Sequence, residues 1–157
     1  MSDTVTLELT INADRETLTV APGETLVAAL RDRLHLTGAK RGCDQGVCGA
    51  CTVLIDGEPV RGCLTLAVDC ADRQITTIEG LDQSGELSAV QMAFVEKGAI
   101  QCGFCSPGMI LTVTALLSEN PKPDAEAIRH AISGNLCRCS GYTKIIEAAE
   151  HAAGGRE

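Results

Sequence analysis

The first third of the chain shows two hydrophobic patterns in succession. Apolar residues occupy every second position over residues 5–11, which predicts a half-buried strand. A turn at residues 12–14 leads into a return strand that continues the period of two to Val20. After Pro22 and Gly23 the period lengthens to four, which predicts an amphipathic helix with one leucine-rich face. That face consists of Leu26, Leu30 and Leu34.

Shorter strands follow a loop that contains three cysteines. Residues 52–55 and 58–61 flank Asp56 and Gly57, a dipeptide that favours a two-residue hairpin turn. A last strand is expected over residues 74–78. Two strands, a helix, a loop, a hairpin and a final strand predict a small β-rich domain packed on one helix.

From Gly80 onward the pattern is helical and predicts four short helices. Ser106 before Pro107 suits an N-cap and a first helical position, and Asp124 can cap the next helix. Short links between such helices predict a compact bundle, so the whole chain is expected to be α+β. The expected helices run from Leu87 to Gly98, Ser106 to Pro121, Asp124 to Gly134 and Tyr142 to Ala152.

Composition narrows the classes of function. With 13 Lys and Arg against 21 Asp and Glu, the net charge of −8 argues against a nucleic-acid surface and against binding to anionic membranes. No apolar run reaches membrane-spanning length, and the polar alternation at the start is unlike a secretory signal. The odd count of nine cysteines is unlike a disulfide framework. These features predict a cytoplasmic protein with reduced thiols.

The cysteines of the first half have the spacing of iron–sulfur ligands. Cys43, Cys48 and Cys51 stand with four and then two residues between them. Cys63 follows after eleven more, which completes the plant-type pattern for a [2Fe–2S] cluster. Zinc sites usually start from a tight cysteine pair answered by a second pair or by histidines, so the spacing favours iron. Three glycines are expected to let the loop wrap a cluster: Gly42, Gly46 and Gly49.

Four more cysteines lie at predicted helix boundaries in the second half. Cys102 and Cys105 have two residues between them. Cys137 and Cys139 have one residue between them. If the bundle brings these boundaries together, four thiolates converge near a helix N-terminus, whose dipole favours an anionic cluster. Taken alone, this spacing fits zinc as well as iron, and the first half favours iron for both. Cys70 fits neither set and is expected to be a buried apolar residue.

Three sequence motifs occur in order along the chain. Residues 42–53 read Gly-Cys-Asp-Gln-Gly-Val-Cys-Gly-Ala-Cys-Thr-Val, and residues 101–109 read Gln-Cys-Gly-Phe-Cys-Ser-Pro-Gly-Met. Residues 134–142 read Gly-Asn-Leu-Cys-Arg-Cys-Ser-Gly-Tyr. Together these motifs resemble the iron–sulfur subunit of the molybdenum hydroxylases, the family of xanthine dehydrogenase, aldehyde oxidoreductase, carbon monoxide dehydrogenase and 4-hydroxybenzoyl-CoA reductase. The resemblance implies a β-grasp, plant-type ferredoxin-like domain over residues 1–77 and a four-helix-bundle [2Fe–2S]-binding domain over residues 78–157.

The same resemblance implies roles for individual residues. Gln101 matches the family glutamine that hydrogen-bonds the pterin of the molybdenum cofactor, and the region of Cys139 lies beside that pterin. Two [2Fe–2S] clusters are implied on this chain. Their implied ligands are Cys43, Cys48, Cys51 and Cys63 for the first cluster, and Cys102, Cys105, Cys137 and Cys139 for the second.

In this family, molybdenum oxidises the substrate, and electrons pass through the pterin and both clusters to FAD. This chain has no length for a molybdenum or flavin domain, and it lacks the Gly-x-Gly-x-x-Gly loop of dinucleotide-binding folds. No histidine has a visible triad partner, so no substrate chemistry is expected on this chain. The resemblance therefore implies an electron-transfer subunit that binds a large molybdenum-cofactor (molybdopterin) subunit and a medium FAD subunit, in a dimer of heterotrimers.

Two other functions fit parts of the pattern. A free-standing two-cluster electron carrier would use its acidic charge to approach basic redox partners. A zinc-stabilised interaction module would be colourless. Co-purifying molybdenum and flavin subunits would favour the subunit hypothesis, whereas a monomer in solution would favour the carrier.

Overall fold

The structure, a computed structural model, describes residues 3–82 and 85–154 of the chain. The strands of the first half are β1 (Val5–Ile11), β2 (Asp14–Val20), β3 (Thr52–Ile55), β4 (Glu58–Arg61) and β5 (Gln74–Thr76). They form one mixed sheet in the order β2-β1-β5-β3-β4. The central pair β1 and β5 is parallel, and the other neighbours are antiparallel.

The predicted strand patterns are confirmed with one shortened strand. The hairpin of β3 and β4 has its predicted bounds, and Asp56 and Gly57 both adopt the positive φ of a type I′ turn, at 52° and 90°. β5 ends at Thr76, two residues earlier than expected. The reason is that the next amide, that of Thr77, donates to the Asn12 side chain at 2.9 Å instead of continuing the sheet.

The helix predicted after β2 is present but winds differently from the expected pattern. α1 (Leu26–Ala28) is followed directly by one π-helical turn over Ala29–Arg33. Leu26 and Leu30 are fully buried against the sheet, whereas Leu34 lies beyond the last turn and is half-buried. The Leu34 amide donates to the carbonyl five residues earlier at 3.4 Å. This wider turn ends the period of four.

Among the described residues of the second half, four α-helices are present, as predicted: α2 (Ala89–Glu96), α3 (Ser106–Glu119), α4 (Ala125–Ile132) and α5 (Tyr142–Gly154). α2 packs against α3 and α5, and α4 packs against the same two helices. Phe94 of α2 is fully buried in the core that the helices share. A β-rich part followed by a helical part confirms the α+β class.

The predicted start of α2 is wrong, and its predicted end is confirmed. The helix begins after Ser88, which forms a capping box with Gln91. Leu87 therefore lies outside the helix, with 43% of its surface exposed, and its predicted place on the buried face is wrong. Gly98 ends the helix as expected: its φ is +63°, and the amides of Gly98 and Ala99 donate back to carbonyls of the last turn.

α3 begins one residue earlier than predicted, whereas α4 has its predicted boundaries. The prediction that Ser106 caps α3 is wrong, because Cys105 is the N-cap and Ser106 is already helical and buried. Asp124 caps α4 as predicted. α4 ends at its C-cap Ser133, directly before Gly134, as predicted, and the Gly134 carbonyl accepts a hydrogen bond from Arg61.

Two apolar cores, one in each half, are joined by a small contact between β3 and α3. Leu54 of β3 packs with Leu111 and Ala115 of α3. Both elements begin directly after a cysteine, so this contact brings the two cysteine-containing regions side by side. Within the described ranges, no helix is long and apolar enough to cross a bilayer.

Candidate iron–sulfur sites

The first cysteine loop joins the π-helical turn to β3 and is closed at its base by backbone hydrogen bonds. The Lys40 amide donates to the Ala50 carbonyl at 2.9 Å, and the Gly62 amide donates to the Cys51 carbonyl at 3.2 Å. The second bond brings the residue before Cys63 against Cys51. The thiols of Cys51 and Cys63 are buried and within hydrogen-bonding reach of each other.

Cys43 and Cys48 form the other thiol pair of this loop. The Cys48 amide donates to the Cys43 sulfur at 3.3 Å. The amides of Cys48 and Gln45 lower the pKa of the Cys43 thiol to about 7, whereas burial raises the pKa of the Cys51 thiol to about 11. Amides aimed at sulfur stabilise the thiolate, which is the form that binds metal, and they tune the potential of iron–sulfur clusters.

A steric constraint explains why glycine occupies each of three positions in the first loop. Gly46 and Gly49 adopt positive φ angles of 78° and 73°. A Cβ atom on Gly49 would lie 2.6 Å from the Gly134 carbonyl oxygen, and one on Gly42 would lie 2.9 Å from the Cys48 sulfur. Gly42 is therefore required because a side chain would not fit there. Gly46 and Gly49 are required in addition because their positive φ angles favour glycine. The structure places Gly42 against the Cys48 sulfur and Gly49 against the second cysteine region, whereas Gly46 lies against the Leu64 side chain.

The second cysteine set lies at the start of α3 and between α4 and α5. Its thiols pair across these two segments, Cys102 with Cys139 and Cys105 with Cys137. Burial raises the pKa of the Cys105 thiol to about 12. The Phe104 amide lowers the pKa of the exposed Cys102 thiol by donating a hydrogen bond to it. The folded bundle thus brings together the four cysteines that sequence analysis grouped.

The segment before α5 is held by further polar contacts. The Gly141 amide donates to the Cys137 sulfur at 3.3 Å, and the Cys137 amide donates to the Tyr142 hydroxyl at 2.7 Å. Gln101 is exposed, and its side-chain nitrogen donates to the Cys139 carbonyl at 3.4 Å. The structure therefore places Gln101 beside Cys139, at the outer side of the second set.

The thiols of each set lie as two pairs. Within residues 3–82 and 85–154, no three His, Cys, Asp or Glu side chains converge on a point that could hold a single metal ion. A [2Fe–2S] cluster takes two ligands on each iron, whereas a structural zinc ion needs four around one centre. Paired thiols with amides directed at sulfur fit [2Fe–2S] clusters better than zinc.

The two cysteine sets border one cavity of about 460 Å³. The Leu136 amide donates to the Cys48 carbonyl at 2.8 Å, and Leu136 directly precedes Cys137. Sequence reasoning missed this link, because a backbone hydrogen bond leaves no signal in residue type. Cysteines of both sets line the cavity: Cys43, Cys48, Cys102, Cys105 and Cys137.

Sequence reasoning also missed two side chains behind the loops. Arg61 donates to the Gly134 carbonyl at 2.6 Å, and Asn135 donates to the Gly49 carbonyl at 3.2 Å. The only signal in the sequence is the position of Asn135 inside the third motif, two residues before Cys137. For Arg61 at the end of β4, the sequence carries no comparable signal.

Models of two known domain families match the chain. One, described as a 2Fe-2S iron-sulfur cluster binding domain, matches residues 9–78. The other, described as a [2Fe-2S] binding domain, matches residues 77–150. Together they cover both parts of the fold and both cysteine sets.

Individual relatives share nearly the full length of the chain. The nicotine 6-hydroxylase small subunit of Paenarthrobacter nicotinovorans is 49% identical over 98% of this chain and 92% of that protein. The nicotinate dehydrogenase small FeS subunit of Eubacterium barkeri is 46% identical over 94% of each. This chain belongs to the iron–sulfur subunits of the molybdenum hydroxylase family. A chain of quinoline 2-oxidoreductase from Pseudomonas putida 86 superposes on it with a TM-score of 0.94 and 47% identity, over 98% of this chain and 96% of that chain.

As an iron–sulfur subunit of this family, the protein serves electron transfer in an oxidoreductase complex. It holds two [2Fe–2S] clusters, each of which supplies one-electron oxidation and reduction when bound. The molybdenum cofactor and FAD of such complexes belong to other subunits. The predicted ferredoxin-like and helical [2Fe–2S]-binding parts are confirmed by the matching families and by the superposition.

Proposed function

We propose that this iron–sulfur subunit carries electrons between a large molybdenum-cofactor subunit and a medium FAD subunit, in a dimer of heterotrimers. The observation that carries this proposal is the hydrogen bond from the Leu136 amide to the Cys48 carbonyl. One hydrogen bond and one peptide unit separate the backbone of Cys48 from Cys137. Direct contact between the two cysteine loops supports a continuous relay rather than two independent metal sites.

The proposed ligands are the paired thiols of both sets. Because burial raises the pKa of Cys51 to about 11 and that of Cys105 to about 12, both stay protonated at neutral pH until metal displaces the proton. Amide donors to sulfur then offset the negative charge of the thiolates. The eight ligands are Cys43, Cys48, Cys51 and Cys63 in the first site and Cys102, Cys105, Cys137 and Cys139 in the second.

The second site is proposed to face the molybdenum subunit. Gln101 and Cys102 are exposed there, and Gln101 lies against the Cys139 carbonyl. An exposed amide beside an exposed ligand offers a hydrogen-bonding group to a pterin at this surface. The first site is proposed to face the flavin subunit, because Val47 and Leu64 expose 58% and 65% of their surface beside it, as apolar partner surfaces do.

Several observations support the remaining parts of the proposal. Relatives that are named as subunits of dehydrogenases and hydroxylases favour a complex over a free-standing carrier. β5 ends at Thr76 and the two family models meet at residues 77–78, which supports domains over residues 1–77 and 78–157. None of the cysteines, all of which lie in the described ranges, forms a disulfide, which supports a cytoplasmic location where thiols stay reduced.

Affinity purification of the tagged chain from its native host tests this function. We expect a red-brown complex in which two larger chains carry molybdenum and FAD. The iron–sulfur subunit should contain about four irons and about four labile sulfides, as two [2Fe–2S] clusters require. Zinc in place of iron would contradict the ligand assignment. A monomeric chain with intact clusters and no partners would contradict the subunit role.

A further inference from the structure

We propose that Asn135 and Arg61 are positioning residues that hold the two cysteine loops in one fixed arrangement for electron exchange. The inference rests on the ligand sets of the proposed function and extends it to residues that bind no iron. It is carried by a buried hydrogen-bond network that joins the two halves of the chain directly behind the cysteines.

Asn135 is buried between the two cysteine regions, with 2% of its surface exposed. Its side-chain nitrogen donates to the Gly49 carbonyl at 3.2 Å and to the Thr52 hydroxyl at 3.4 Å. Its side-chain oxygen accepts from the Thr112 hydroxyl at 3.3 Å. One side chain therefore contacts the first cysteine loop, the start of β3 and helix α3, from a position two residues before Cys137.

Arg61 forms a second bridge from the end of β4. Its guanidinium donates to the Thr52 hydroxyl at 2.7 Å and to the Gly134 carbonyl at 2.6 Å. Thr52 in turn donates to the Gly49 carbonyl at 2.6 Å. Both bridges therefore converge on Gly49, which lies between Cys48 and Cys51 in the first loop.

The backbones meet here without room for side chains. A Cβ atom on Gly49 would lie 2.6 Å from the Gly134 carbonyl oxygen, and one on Gly108 would lie 2.5 Å from the Gly49 carbonyl oxygen. Among the described residues, no buried side-chain nitrogen or oxygen lacks a hydrogen-bond partner. Such a closed network favours one arrangement, because moving either loop leaves buried polar groups unpaired.

The network determines the contact between the two sites. Asn135 and Leu136 are consecutive, so the Asn135 contacts set the position of the Leu136 amide against the Cys48 carbonyl. Loss of these contacts releases the second loop from the first, while the thiol pairs within each site remain. The expected effect falls on the coupling between the sites and not on their assembly.

The test compares Asn135→Ala and Arg61→Met with matched controls in the assembled complex. Asn120→Ala and Arg73→Met remove the same residue types from exposed contacts, with the Lys122 amide and with Asp56 respectively. Electron paramagnetic resonance of the fully reduced complex measures the magnetic interaction between the clusters, which depends on their separation and orientation. Hydrogen exchange of the 134–138 segment measures protection of its amides in the folded complex.

Both test variants are expected to keep two cluster signals but to lose most of the magnetic interaction between them. Amide exchange in the 134–138 segment should become at least about tenfold faster, because Asn135→Ala removes three hydrogen bonds and Arg61→Met removes two. Arg61→Lys keeps a cationic hydrogen-bond donor and should recover part of the magnetic interaction between the clusters. Both controls should match the wild type, since neither contact lies in the network.

Wild-type magnetic interaction and wild-type exchange in Asn135→Ala and Arg61→Met would overturn the proposal. If Asn135→Ala does not assemble, Arg61→Met and its partial recovery in Arg61→Lys decide the question alone. A wild-type complex without two [2Fe–2S] signals would overturn the ligand sets of the proposed function instead, so the two failures are distinguishable.

Discussion

Cysteine side chains of one chemical type have different surroundings in this protein. A hydrogen bond from the Cys48 amide helps to lower the pKa of Cys43 to about 7, while burial raises the pKa of Cys105 to about 12. Hydrogen bonding to sulfur and burial are two levers that set cluster potentials. Cys70, outside both sets, exposes 1% of its surface, as expected for a buried apolar residue, and its thiol donates a weak hydrogen bond to the Leu66 carbonyl at 3.4 Å.

At the scale of single residues, we expect Cys63→Ser to alter or abolish one of the two cluster signals and to leave the other cluster reducible. Serine would remove one thiolate from the pair that Cys63 forms with Cys51, and iron content should fall by about half. Electron paramagnetic resonance and iron analysis check both effects. Cys70→Ser is the matched control and should retain both signals. Two normal signals in Cys63→Ser would mean that the ligand set is wrong.

Helices and strands hold the cysteines by beginning or ending next to them. β3 begins directly after Cys51, and α3 begins directly after Cys105, its N-cap. A rigid element next to a ligand limits the positions that the ligand can take. At the start of α3 the helix dipole favours a thiolate and so opposes the burial that raises the pKa of Cys105. The elements thus contribute position and local electrostatics to the sites.

The helical bundle depends on its few large apolar side chains, because the chain contains only two phenylalanines and no tryptophan. Phe94→Ala is expected to lower the free energy of unfolding by about 3–5 kcal/mol, since Phe94 is fully buried in the helical core. Val95→Ala, 56% exposed on the same helix, should change it by less than about 0.5 kcal/mol. Denaturant titration followed by circular dichroism measures both; equal effects would contradict this packing of α2.

At the scale of the whole molecule, the two halves meet mainly through backbone and polar contacts. The buried apolar part of the interface is small, with Leu54, Leu111 and Ala115 at its centre and Ile78 and Leu81 partly buried against them. Close backbone approach at Gly49 and Gly108 makes the polar contacts possible. The relative position of the two sites therefore depends on Gly49 and Gly108, where a larger side chain would push the two backbones apart.

Gly108→Ala tests this close approach. The added methyl would lie 2.5 Å from the Gly49 carbonyl oxygen, and this overpacking should outweigh the helix preference for alanine, with a net loss of about 1–2 kcal/mol of stability. Gly23→Ala is the control, because no atom lies within 4 Å of the added methyl. Thermal unfolding of the complex-bound subunit measures both variants. A Gly108→Ala variant as stable as Gly23→Ala would show that the halves are not in contact here.

Local sequence signals predicted the element boundaries that are set by residues close by in the sequence. Asp56 and Gly57 located the hairpin at its observed bounds, and Asp124 located the start of α4. The wrong start of α2 lies at a local capping box of Ser88 and Gln91, whereas the other wrong boundaries lie where distant residues intervene. The N-cap of α3 lies one residue before the predicted Ser106, at a cysteine whose thiol pairs with Cys137. Residue type alone does not encode such a partner.

The sequence by itself determined the chemistry of this protein. Two sets of four cysteines, their spacing and the loop glycines are local properties that remain readable without coordinates. Only the tertiary structure decided which thiols pair, that the Leu136 amide meets the Cys48 carbonyl, and that Arg61 and Asn135 join the loops. These contacts connect residues as far as 73 and 86 positions apart, as between Arg61 and Gly134 or Gly49 and Asn135, and packing of the two halves alone brings them together.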